Sequence, residues 1–137
     1  MIRIQNLHHR YPDGTDALRG IDLTVSNGDF LLICGPNGSG KTTLLRIMGG
    51  LLEPSDGSVL INGFDVLKES LKARQSVGMV FQDPECQIVG ETVREDVAFG
   101  PENLGLSKEE IDQRVNGALH QMGLQALSDK PCDLLSG

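Results

Sequence analysis

The sequence predicts an α/β protein in which an antiparallel sheet leads, a strand–loop–helix unit follows, and helices occupy the last third of the chain. Three observations carry this. Apolar residues alternate over residues 2–25 on either side of a turn. The apolar run Phe30-Leu31-Leu32-Ile33-Cys34 enters a glycine-rich loop that opens a helix. From Thr92 onward, apolar residues recur at helical spacing.

Taken in order, Ile2, Ile4 and Leu7, and again Ile21, Leu23 and Val25, read as inner faces of two half-buried strands joined through the turn Pro12-Asp13-Gly14. Asn27-Gly28-Asp29 is a second turn, and the continuous apolar run behind it has the pattern of a strand covered on both faces. Residues 41–52 read as a helix with Leu44, Leu45, Ile47, Met48, Leu51 and Leu52 inward, stopped by Pro54. Residues 59–61 and 77–81 read as further strands. Ser107-Lys108-Glu109-Glu110 is a capping box, after which Ile111, Val115, Ala118 and Met122 share one helix face until Gly123 ends it. The expected division is residues 1–90, an α/β core with the antiparallel β-subdomain, and residues 91–137, helical.

Composition excludes several classes. Hydrophobic residues at 39% and charged residues at 23% are globular, not disordered, values. A compact chain of 137 residues hides roughly two thirds of its unfolded surface, so a real core is available. The net charge of -7 is uneven: residues 1–50 carry five Lys/Arg against four Asp/Glu, and residues 51–137 carry seven against fifteen. No basic face for nucleic acid is implied. Cys34, Cys86 and Cys132 lack metal-ligand spacing and suggest neither a disulfide framework nor a zinc site, which fits a reducing cytosol. Cys34, in the strand before the loop, reads as a small buried apolar residue. His8 and His9 are neighbours on a strand and point to opposite faces, and His120 is on a distant helix, so they read as structural and not as a metal site. The N-terminus has no signal-peptide core, and the longest apolar run is far too short to cross a bilayer. Any membrane role is expected to go through a partner.

Gly35-Pro36-Asn37-Gly38-Ser39-Gly40-Lys41-Thr42 matches GxxxxGK[ST], and each residue type has its own reason. Gly35, Gly38 and Gly40 permit backbone angles that turn successive N–H groups, with those of Asn37 and Ser39, toward one point. The start of a helix adds a dipole that favours negative charge there. Lys41 supplies a mobile cation for β- and γ-phosphates, and the Thr42 hydroxyl can ligate Mg²⁺. The motif predicts nucleotide binding but does not choose among kinases, GTPases, recombinases and transport ATPases.

Four features in order resemble the ABC ATPase family, over essentially the whole chain: Tyr11 in the first turn, the phosphate loop followed by Thr43, Gln82 with Asp83-Pro84 behind it, and the terminal Leu134-Leu135-Ser136-Gly137. The resemblance implies a P-loop NTPase core with an N-terminal antiparallel β-subdomain and the beginning of a helical subdomain. It implies ATP and Mg²⁺ as cofactors. Tyr11 would stack on adenine. Thr43 would meet the α-phosphate, Gln82 would reach Mg²⁺ and the attacking water, and Ser136 would begin an LSGGQ signature that clasps the γ-phosphate held by a second subunit. The segment Phe81-Gln82-Asp83-Pro84-Glu85-Cys86 and its continuation to Gly105 is most similar to the energy-coupling-factor and cobalt/nickel importers, whose cargo is a metal ion or a vitamin. Partners implied are a transmembrane transporter subunit, met through the Gln82 loop and the helical subdomain, and a second ATP-binding subunit. The location implied is the cytoplasmic face of the cell membrane.

The family pattern continues past residue 137 with the rest of the signature, Walker B, the D-loop and the switch histidine. The 137 residues by themselves are therefore expected to bind ATP without turning it over at a useful rate, with an incomplete central sheet whose apolar strand at residues 30–34 invites self-association. The alternatives are a binding-only or regulatory fragment, a non-transport ABC protein, and a P-loop kinase or GTPase. The last lacks support, because no NKxD guanine-reading sequence is present.

Overall fold

In the computed structural model, which describes residues 1–83 and 87–135, strand β1 (Ile2–Arg10) pairs antiparallel with β2 (Asp16–Val25), Ile2 lying opposite Val25 and Ile4 opposite Leu23. The turn between them closes on Gly14 N–H to the Tyr11 carbonyl and Tyr11 N–H to the Thr15 carbonyl, both at 2.9 Å. The other edge of β1 pairs antiparallel with β3 (Asp56–Ile61), and the two-residue strand β4 (Phe64–Asp65) completes a four-stranded sheet in the order β2-β1-β3-β4. The expected antiparallel subdomain is present.

β1 is not regular, and its irregularity decides which side chains reach the core. Asn6 adopts φ 45°, and the register with β2 and with β3 shifts beside it. A bulge inserts one residue, so the inward face passes from Ile4 to Leu7 and then to His9. These three are 2%, 0% and 6% exposed. Gly57 holds φ 88° against this bulge, where a Cβ would run into the Asn6 carbonyl.

Over one side of the sheet packs α1 (Lys41–Met48), with Leu44 and Ile47 buried against Ile4, Leu7, Leu18, Val59 and Ile61. Ile47 is fully buried, and its truncation to alanine costs about 2–5 kcal/mol by lost transfer energy and the cavity left. The helix stops earlier than the apolar pattern predicts. Gly49 is the C-cap and Gly50 turns to φ 66°, so Leu51 falls outside the helix and is exposed, as is Leu45 on the outer face. α2 (Ser70–Gln75) buries Ala73 in the same core.

Two expected strands do not form. Residues 30–34 and 77–81 join no ladder among the described residues, and Phe30, Leu32 and Val80 are 94%, 73% and 90% exposed. A strand exists only through a partner backbone, and an apolar run cannot supply one. Cys34, expected to be buried, is exposed for the same reason.

The chain divides into two compact units, Met1–Met79 and Val80–Gly137. In the second, α3 (Val93–Asn103) and α4 (Lys108–Met122) each begin with a complete capping box, Thr92 with Glu95 and Ser107 with Glu110. Val93, Ala98, Val115, Leu119 and Cys132 form its core. Leu119, not Met122, carries the last inward position of α4, and Met122 is exposed. Arg94 binds Asp112 at 2.6 Å and Asn116 at 2.9 Å, pinning the two helices together. Burial pushes the Cys132 thiol up from its ordinary range, and the carboxylates of Asp96, Asp133 and Glu95 add to this. A thiol so raised disfavours the thiolate, the reactive form.

Candidate functional site

The glycine-rich loop spans the segment before α1, and its tightest point is Gly40. This residue is the N-cap of the helix at φ 88°, a left-handed angle. A Cβ there would stand 2.5 Å from the Ala17 carbonyl oxygen and 3.0 Å from Leu18 Cδ2. Two requirements therefore coincide on Gly40: the backbone angle, and close approach of the helix start to β2. Gly38, at φ 81°, has open space around it and needs glycine for its angle alone. Ser39 N–H closes a turn on the Pro36 carbonyl at 3.3 Å.

Helix α1 begins with no side-chain cap and no acidic residue in its first turn. Among the described residues, no side-chain cap and no first-turn carboxylate offsets the positive end of the helix dipole here. The Lys41 ammonium donates to the carbonyls of Gly35 at 2.7 Å and Pro36 at 2.8 Å, folding back over the loop. A helix start and an ammonium on one loop are groups that can receive an anion, and exchanging two neutral carbonyls for a phosphate oxygen would strengthen the bonds Lys41 makes.

Asn37, Ser39 and Thr42 are exposed at the loop, whereas Thr43 is buried at 6% exposure. Its hydroxyl lies 2.9 Å from that of Tyr11, so the end of β1 is tied to the first turn of α1. The Tyr11 ring meets His9 edge-on, with centroids 4.6 Å apart and planes at 85°. The first unit thus gathers Tyr11, the loop from Gly35 to Thr42, and Thr43. Gln82 is exposed in the second unit. Pro84 and Cys86, and Ser136 and Gly137 of the terminal motif, lie outside the described residues. From the sequence His9 reads as structural only; its contact with Tyr11 becomes visible through the bulge at Asn6.

The ABC transporter family profile matches residues 18–137. The chain belongs to the ABC transporter family. Among ABC transporter relatives, the energy-coupling factor transporter ATP-binding protein EcfA of Methanocaldococcus jannaschii is 46% identical over 140 residues, covering 100% of this chain and 50% of that protein. Among solved structures, cbiO1 from Clostridium perfringens, part of the ABC transporter complex cbiONQ, matches with a TM-score of 0.85 at 40% identity, over 98% of this chain and 55% of that one. The ATP-binding cassette MJ0796, solved as a dimer in a post-hydrolysis state with ADP and Pi, matches with a TM-score of 0.81 at 29% identity, over 99% of this chain and 63% of that one. The chain spans about half the length of the curated ABC relatives it matches. No helix among the described residues is long and apolar enough to cross a membrane.

Proposed function

We propose that this chain carries the nucleotide-taking half of an ABC importer's motor subunit, which couples Mg·ATP binding and hydrolysis to transport of a metal ion or vitamin. The observation that carries the reading is the start of α1: an uncapped helix end, entered through Gly40 at φ 88°, with the Lys41 ammonium folded over the same loop. That donor set fits a polyphosphate.

In this reading the loop amides and Lys41 hold the β- and γ-phosphates, the exposed Thr42 hydroxyl takes Mg²⁺, and Tyr11 receives the adenine face. Thr43 can accept from the Tyr11 hydroxyl and still donate its own hydrogen toward the α-phosphate. Gln82 serves the metal and the attacking water, and Ser136 serves a nucleotide bound by a second subunit. Likeness to EcfA and to cbiO1 supports the importer branch, with a transmembrane subunit met through the Gln82 loop and the helices behind it. None of the assigned residues is a base able to take the proton of the attacking water.

The test is transport. Cells in which the protein carries Lys41→Ala should lose energy-dependent uptake of cobalt, nickel or a vitamin while keeping the subunit at the membrane. Uptake of every one of these cargoes at the unmodified rate would overturn the importer reading.

A further inference from the structure

We infer that His9 is a positioning residue of the nucleotide site, holding the Tyr11 ring in the orientation that meets the base. The inference deepens the proposed function and rests on Tyr11 being the base contact.

The bulge at Asn6 places Leu7 and His9 on the inward face of β1, and Tyr11 follows His9 by two positions. His9 is 6% exposed. Its Nδ1 lies 2.9 Å from the Glu53 carbonyl oxygen, which can only accept, so Nδ1 carries the hydrogen. Two further bonds fasten the same stretch: Ser55 N–H donates to the His8 carbonyl, and Arg10 N–H donates to the Ser55 hydroxyl, both at 2.9 Å. The imidazole is thereby fixed to the connection that leaves α1. Its edge-on contact at 4.6 Å then restrains the Tyr11 ring from one side, while Thr43 holds the phenol tip at 2.9 Å. Tyrosine has two side-chain torsions, and these two contacts restrain both.

Histidine at this position carries a cost, because Nε2 is buried with no partner among the described residues. A phenylalanine would offer the same ring without that cost. What it could not offer is the bond to Glu53 that locks the ring's orientation. Pre-setting Tyr11 lowers the ordering cost when a base stacks on it, and that gain reaches only ligands that possess a base.

Mg·ATP and Mg·tripolyphosphate separate the two ends of the site. Tyr11 is the only tyrosine and the chain has no tryptophan, so intrinsic emission reports this ring alone. We expect His9→Ala to weaken Mg·ATP about 3- to 10-fold, the worth of one oriented aromatic contact, to leave tripolyphosphate affinity within about twofold, and to lower Tyr11 emission anisotropy. His9→Phe, which keeps the ring and loses the Glu53 bond, should fall between alanine and the parent; it also decides the matter if the alanine variant does not fold. Equal weakening of both ligands, or none of either, would overturn the inference. If the parent itself binds ATP no more tightly than tripolyphosphate, it is the assignment of Tyr11 to the base that fails.

Discussion

The Tyr11 and Thr43 hydroxyls lie 2.9 Å apart although 32 positions separate them, and this bond joins the β1–β2 turn to the helix that the phosphate loop opens. Each hydroxyl is worth about 0.5–1.5 kcal/mol here, since losing either leaves the other partly or fully buried without its partner. Tyr11→Phe and Thr43→Val should each lower unfolding free energy by about that amount in urea melts. The double variant should lose less than the sum. Additive losses would show that the two groups do not interact in solution.

Gly40 and Gly38 make a paired test of the loop. Gly40→Ala must place a methyl 2.5 Å from the Ala17 carbonyl at φ 88°, and should cost about 1–3 kcal/mol of stability while displacing the helix start from β2. Gly38→Ala meets only the backbone-angle penalty, about 1 kcal/mol. Calorimetric melts should rank them in this order, and nucleotide affinity should follow the same ranking.

Glu110 predicts an acid dependence. The Ser107 backbone N–H, and then its hydroxyl, hold the Glu110 carboxyl below its ordinary value of 4.5. A carboxylate with a depressed folded value contributes stability that is present above 4.5 and is lost as pH falls through the lower folded value. Helix α4 should therefore loosen as pH falls below 4.5, read by far-ultraviolet circular dichroism. Glu110→Gln keeps the reciprocal cap without the charge and should flatten that dependence. An unchanged acid profile in this variant would assign the loosening to other groups.

Phe30 and Leu32, 94% and 73% exposed, form an apolar stretch without a ladder among the described residues. The 137-residue chain should self-associate, and Phe30→Lys with Leu32→Lys should shift it toward monomer in sedimentation velocity runs. A parent that sediments as a monomer with a cooperative thermal transition would contradict this.

Much of the local chemistry that neighbours in the chain decide was legible from the sequence, though not the two-glycine stop of α1 or the capping box at Thr92. The capping box at Ser107, the stop at Gly123 and the β1–β2 hairpin are all present in the fold. Features that depend on distant partners were not legible. The apolar runs at residues 30–34 and 77–81 name a strand only if another backbone lies beside them. The clearance at Gly40 is set by Ala17 and Leu18, far away in sequence. The place of His9 depends on an extra residue at Asn6 that reverses the alternation of β1, which a count from Ile4 would miss. Helix α1 ends early because two glycines outweigh the leucines beyond them.

Titrating the protein with Mg·ATP while following Tyr11 emission, in the parent and in Lys41→Ala, bears most directly on the role of the phosphate loop. A saturable change that requires magnesium and weakens at least about tenfold without the ammonium is the predicted result. No magnesium-dependent change, or one indifferent to Lys41→Ala, would contradict it.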